Sequence, residues 1–324
     1  MTEALGALNR KMPRNAKVRL RQQGKNRISI TPFEPLPAAL NLEAIKTELE
    51  RRWPMTDLID VLMETARQTG FLDEFTASGD RVVIDADTLR RRLVLCLYGL
   101  GTNAGLKRVS TGTEAASYAE LLHVRRRFIH KEALRSATAL VTNAILATRD
   151  QRIWGEAGTA CASDSTKVGA WDQNLMAEWH VRYRGRGVMI YWHMERQATC
   201  IYSQLKRCSS SEVSAMIEGV LRHCTDQEIQ RHYVDSHGQS EVGFAFCHLL
   251  GFELAPRLKA IARQKLYVPE TAMRETLGNL TPILAREINW PLIERQYDEM
   301  IKYTAALKHR TADPEAILRR FASA

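Results

Sequence analysis

The sequence predicts an α/β protein with a large helical part, in which a mainly helical region precedes a core ordered β-β-β-α-β-α-β. Three observations predict it. Apolar residues recur at helical spacing from Asn41 to about Thr148, short strand-like runs replace them after Glu156, and two of those runs end in aspartates, Asp164 and Asp235. The 324 residues, 45% of them hydrophobic, suffice for two or three domains with real cores.

Residues 1–40 read as a basic, proline-punctuated leader. Arg10, Lys11, Arg14, Lys17, Arg19, Arg21, Lys25 and Arg27 face only Glu3 among acids before Ile30. Arg27–Ile30 alternates like a short strand, so the leader is either an arm that tracks a phosphate backbone or a hairpin edge guarded by charge.

Residues 41–155 read as a helical domain. Leu42, Ile45 and Leu49 share one face, and Trp53-Pro54 ends that segment. Thr56 is the expected cap of a helix carrying Leu58, Val61 and Leu62, which stops at Gly70. Leu89, Leu93 and Leu97 mark a third helix that closes between Gly99 and Gly105. Two more run from Ser117 to about His130 and from Lys131 to about Thr148. The glycine-rich segment Gly99–Gly105 is not a phosphate loop, because no strand precedes it and no Gly-Lys-Ser/Thr ending follows. It reads as a helix end with left-handed glycines.

Residues 156–267 read as the core. Thr159–Ser165 is a strand of small residues ending at Asp164, and Gly187–His193 with Cys200–Leu205 forms a hairpin. Ser210 or Ser211 caps a helix with Val213, Met216, Ile217 and Val220 on one face. A strand then runs to Asp235, Ser240 caps a helix ending at Gly251, and Phe252–Leu254 is a last short strand. This is the order of the ribonuclease-H-like fold, in which strands one and four lie side by side and would bring the two aspartates together. Residues 268–324 read as a helical insertion, with Ile283, Ile288, Leu292 and Ile293 set among charged residues.

Forty-six Lys and Arg against 37 Asp and Glu give a formal net charge of +9, which favours a polyanionic partner, DNA first among them. The cysteines at 96, 161, 200, 208, 224 and 247 form no paired spacing and read as buried thiols of a reducing compartment. No apolar run is long enough to span a membrane, and the first residues lack a signal-peptide core. The expectation is a soluble, cytoplasmic protein.

Two carboxylates at strand ends make a hard oxygen site suited to Mg²⁺ or Mn²⁺, the donors used for phosphodiester chemistry with two metal ions. The residues around them are also familiar. Ala160–Ser165, Gly169–Asn174, Glu178–Tyr183, Tyr202–Cys208 and Tyr233–Glu241 resemble the catalytic region of the Tn-three family of replicative transposases. Leu100–Arg108 and Arg51–Met55 are similar to it as well, so the resemblance runs over essentially the whole chain.

That resemblance implies DDE chemistry, in which two aspartates and a glutamate hold two metal ions for cleavage of transposon 3′ ends and their joining to target DNA, giving a cointegrate. Asp164 matches the first acid and Asp235 the second, and no covalent protein–DNA intermediate is implied. Family members are far longer at both ends, so the chain is expected to be an internal piece with its catalytic glutamate beyond Ala324. Glu287, Glu294, Glu299 and Glu315 are candidates within the chain, each more simply read as a solvated helix carboxylate. DNA and further copies of a transposase are the implied partners. The competing expectation is a catalytically inactive, truncated remnant that binds only DNA or an intact transposase.

Candidate DNA contacts are Lys107 and Arg108, the cluster Arg125, Arg126 and Arg127, and Lys206 with Arg207. His237 either approaches a phosphate, orients the neighbouring carboxylate, or is a plain turn residue. Asp172 reads as the cap of a helix starting beside it, and Glu241 as part of an acidic pocket or a helix N-terminal charge. Among the tryptophans, Trp171 and Trp179 are better candidates to stack on bases than Trp192, although buried packing is the favoured reading for both, and Trp192, inside a strand, reads as core.

Overall fold

The computed structural model of the chain describes all residues except 36, 38, 39, 54–56, 78, 80–83, 155–157, 323 and 324. In chain order, α1 (Thr2–Lys11) precedes a hairpin of β1 (Val18–Leu20) and β2 (Ile28–Ile30). Then come α2 (Leu42–Arg52), α3 (Leu58–Thr69), α4 (Ala86–Gly101), α5 (Leu106–Thr111), α6 (Tyr118–Phe128), α7 (Lys131–Thr148) and the single turn α8 (Gln151–Trp154). The strand-rich part follows with β3 (Ala160–Gly169), β4 (Glu178–His180), β5 (Gly185–Glu195), β6 (Cys200–Lys206), α9 (Glu212–Arg222), β7 (Arg231–Val234), α10 (Glu241–Leu250) and β8 (Glu253–Pro256). The chain continues through β9 (Leu266–Val268), α11 (Met273–Thr276), β10 (Leu284–Glu287), α12 (Trp290–Lys308) and α13 (Pro314–Ala322). The fold is mixed α/β with a large helical share, and the predicted succession of strands and helices is present with the short β4 added.

The chain divides into two compact units. One comprises Met1–Ala38, Ser210–Ile217 and Gln230–Ala324, and the other Ala39–Ser209 and Glu218–Ile229.

The second unit holds the main helical core. Phe71, Leu72, Leu93, Cys96, Leu121, Val124 and Phe128 are buried together, with Ala133 and Ala137 of α7 against them. Fully burying a Leu or Phe contributes about 1.5–3 kcal/mol, so this cluster supplies much of the unit's stability. Local signals set the helix ends. Ser117 and Glu120 form a reciprocal capping box at the start of α6, Asp85 caps α4, and Gly70 ends α3 in the left-handed region at φ 69°. The expected cap Thr56 lies outside the described residues, as do Pro54 and Met55, and the described cap of α3 is Asp57. The glycine-rich segment is a helix end as expected, but its glycines are not left-handed: Gly99 and Gly101 are helical within α4, the left turn falls on Asn103, and Gly105 combines positive φ with an extended ψ.

The sheet of this unit is antiparallel. β5 runs beside β3 through nine consecutive register pairs, from Cys161 opposite Glu195 to Gly169 opposite Gly187. β4 and β6 also pair with β5. β3 is longer than expected: it continues past Ser165 because Thr166 and Val168 extend the alternation and Gly187, opposite, leaves room for the Val168 carbonyl. Asp164 therefore sits mid-strand, not at a strand end.

In the first unit β7 runs parallel to β8, and β9 parallel to β10. Val268, Leu277, Leu280, Ile283 and Leu284 form a small core on which Leu5 and Met12 from the α1 region, and Leu20 and Ile28 of the hairpin, pack. The leader is tied in by its backbone and by Arg27, whose guanidinium donates to the Pro282 carbonyl at 2.9 Å. Residues beyond 268 are helical in α12 and α13 but also contribute β10, a strand that the run of mixed charges hides. Among the described residues, no helix is long and apolar enough to cross a membrane. All six cysteines are free thiols, but only Cys96, Cys161 and Cys247 are buried, and Cys224 is exposed.

Candidate active site

Asp164 belongs to the second unit and Asp235 to the first, and each is held by its own surroundings. On β3, burial alternates residue by residue: Cys161 and Ser163 are buried, Ala162 and Asp164 exposed. Ser163 donates to the buried Tyr191 hydroxyl at 2.8 Å, which fixes the strand's inner face. Asp164 leaves the opposite face, opposite Trp192 of β5, and one of its oxygens accepts the Ser165 N–H at 2.7 Å.

Asp235 follows directly on β7 and is clasped by a tight turn. Oδ1 accepts the backbone N–H of His237 at 2.8 Å, and Oδ2 lies 2.6 Å from His237 Nδ1. A carboxylate can only accept, so Nδ1 carries the proton and Nε2 is the acceptor in the neutral ring. Burial pushes the Asp235 carboxyl up, but the His237 hydrogen bonds outweigh it and hold the group below its ordinary value. The aspartate is therefore ionised throughout the neutral range. The turn needs glycine at 238, where any Cβ would collide with the Val234 side chain.

A residue that the sequence did not single out joins this turn. Glu212, at the start of α9, brings a carboxylate oxygen within 4.8 Å of ligand atoms of both Asp235 and His237. Its only sequence signal was an acid at the first position of a predicted helix, which is ordinarily a dipole effect. Two carboxylates and an imidazole at such spacing offer mixed oxygen and nitrogen donors that could hold a divalent cation. Glu241, expected either in an acidic pocket or as a helix N-terminal charge, has the second place: it is exposed in the first turn of α10, which Ser240 caps as predicted.

The remaining candidates divide. Lys107 and Arg108 are exposed on α5, Arg125 and Arg126 are exposed in the last turn of α6, and Arg127 is half-buried. Arg207 is exposed, with Glu178 4.0 Å away. Lys206 is turned inward: it is buried, and its Nζ lies 5.7 Å from the centre of the Tyr191 ring. Its ammonium is not offered to solvent, so of that pair only Arg207 has the surface position that a phosphate contact needs. Asp172 caps no helix, because turns follow it, and it instead pairs with Arg186 at 3.3 Å. Glu299 and Glu315 pair with Lys302 and Arg319 on their own helices, and Glu287 accepts from Thr271.

Comparison with known proteins gives this arrangement its context. Residues 60–324 match the family described as the Tn3 transposase DDE domain. The chain belongs to that family. Both Asp164 and Asp235 lie inside the matched region. Among proteins similar to this Tn3-type DDE domain is the transposase for transposon Tn1546 of Enterococcus faecium, 28% identical over 272 residues. The transposase for Tn501 of Pseudomonas aeruginosa is 26% identical over 294 residues, and that for Tn2501 of Escherichia coli 29% over 280. These alignments cover 83%, 89% and 83% of the chain but only 27%, 29% and 27% of the relatives. The chain thus spans under a third of the length of the curated relatives it matches.

Proposed function

We propose that this chain is the catalytic region of a transposase that cuts the 3′ ends of a transposon and joins them to target DNA by a replicative, cointegrate-forming route. The observation that most supports it is the family match extending over both aspartates, one exposed on a strand and the other clasped in a turn. In this reading Asp164 and Asp235 are the two aspartates of the DDE set, and the core is ribonuclease-H-like. Residues 41–155 are then a helical domain, 156–267 the catalytic core, 268–324 an insertion and 1–40 a basic leader.

Asp164 and Asp235 would hold Mg²⁺ or Mn²⁺, which supplies charge neutralisation at the scissile phosphate and a more acidic attacking oxygen. The protein's own contribution is positional. His237 keeps Asp235 ionised and oriented, and the β3 ladder fixes the side on which Asp164 leaves the sheet. The excess of basic residues supplies a surface that DNA approaches, with Lys107, Arg108, Arg125, Arg126 and Arg207 as phosphate contacts. Further copies of the transposase are the expected partners.

Manganese binding followed by electron paramagnetic resonance tests the assignment without relying on turnover. The parent chain should bind Mn²⁺, and Asp164→Asn or Asp235→Asn should weaken binding by about ten-fold or more, since losing even an outer-shell partner of a ligand costs about 10–100-fold. Undiminished binding by a folded variant removes that aspartate from the site. Mg²⁺-dependent nicking of transposon-end DNA, absent in both variants, is the accompanying activity measurement.

A further inference from the structure

In the second unit Asp164, Trp192 and Ser203 lie opposite one another across β3, β5 and β6. Directly paired residues leave a sheet on the same face, with Cβ atoms about 5 Å apart. That face is open. Trp192 is 38% exposed there, and Val168, Leu205 and Asp164 are exposed with it. The indole is therefore not the core residue that its strand position suggests.

Next to Trp192 the face runs into a groove of about 500 Å³ formed by α7 and β6, with Leu134, Ile190, Ile201 and Leu205 in its lining. This is within the size range of sites that take small, flat organic ligands. The charged groups among the described lining residues are Lys131, Arg135 and Arg222, and none is an Asp or Glu. Arg222 is held by Glu218 at 3.3 Å. Arg135 donates one hydrogen bond to the Tyr202 hydroxyl at 2.5 Å and stacks 5.1 Å from that ring, which among the described residues engages one of its five N–H donors.

An apolar, aromatic floor with a wholly cationic charged lining fits a ligand that is flat and apolar in one part and anionic in another. A nucleotide of single-stranded DNA has that chemistry: every base offers a π face for stacking, and every linkage carries a phosphate.

We propose that an unpaired base stacks on Trp192 in this groove, with the attached phosphate near Lys131 and Arg135. The proposal rests on the reading that Asp164 acts on DNA, since a strand end opened there emerges one residue pair from the indole. Trp192 is then a positioning residue that holds the strand end in place beside the aspartate. Trp171 and Trp179 are more exposed, at 86% and 60%, but neither stands on the Asp164 row.

The test uses the 324-residue chain and a short DNA single strand carrying one 2-aminopurine, whose fluorescence is quenched by stacking. The parent should quench it, and should do so less when the same base is paired in a duplex. Trp192→Ala should abolish quenching and weaken single-strand binding about ten-fold, within the range for losing one base stack. Trp192→Phe should keep most of both, and Trp171→Ala and Trp179→Ala should change neither. Lys131→Ala should weaken binding and flatten its salt dependence. DNA binding with quenching that survives Trp192→Ala, or that follows Trp171 or Trp179 instead, overturns this proposal and leaves the transposase reading standing. Failure of the folded chain to bind either single-stranded or duplex DNA overturns both.

Discussion

Gly219 of α9 lies against the imidazole of His193, so closely that a Cβ on the glycine would overlap the ring. His193 is wholly buried, flanked by Tyr191 and Tyr202 in edge-to-face contact at 5.2 and 5.6 Å, and has no space to retreat into. Alanine in a helix interior normally gains about 1 kcal/mol over glycine. Here overpacking should outweigh that gain, and Gly219→Ala should lower stability by about 1–3 kcal/mol. Urea unfolding measures it. A variant as stable as the parent would mean that the ring can swing away.

A second prediction concerns Arg149 and Glu195, an ion pair at 2.9 Å whose side chains are 7% and 0% exposed. Glu195 also accepts the Gln197 N–H at 2.8 Å, and Arg149 bonds Thr199 and lies over Trp154. Removing one partner strands a buried charge, so Arg149→Met or Glu195→Gln should each cost about 3–5 kcal/mol. The double variant should lose much less than the sum, because no charge is then left alone. A double-mutant cycle of unfolding free energies decides it, and strict additivity would refute the coupling.

His232 supplies a pH dependence. Burial lowers its pKa from 6.5 to about 4, and the side chain is wholly inaccessible. The unfolded chain binds a proton below pH 6.5 that the folded chain refuses until about pH 4. Stability from this group is therefore complete above pH 6.5, declines as pH falls through that window, and levels off below it, a total of roughly 3 kcal/mol. His223, also lowered by burial, adds to the same trend, so the informative quantity is the difference between parent and His232→Gln. Unfolding at about pH 7 and about pH 4.5 should give a smaller loss in the variant; identical slopes would count against it.

Much of this architecture is legible in the residues because the signals are local. Periodicity and caps place α3, α4, α6 and α7, and Ser240 with the left-handed Gly251 brackets α10. The hairpin of β5 and β6 follows from alternation alone. Features that depend on partners distant in sequence are not legible in this way. The three residues of β4 are too short a run for alternation to announce a strand, and they become one only against β5. Asp172 looks like a cap until Arg186 is beside it. Lys206 was readable in principle: counting by twos from the buried Tyr202 puts it on the inner face, yet its charge argued for solvent. Trp192 is the converse, an aromatic inside a strand that emerges on the open side. Glu212 nears Asp235 only through the folding of α9, which no spacing in the sequence announces.

The unbroken ladder of β3 on β5 bears on how this segment tolerates change. Because side chains alternate, the identity of residues 160–163 matters less than their number. A conservative replacement at Ala162 leaves every later residue where it was. Deleting one residue there, with the pairing before it kept, would turn the aspartate toward Tyr191 and His193 and expose a serine in its place. Sequence drift can therefore pass through this strand, whereas a single lost codon cannot.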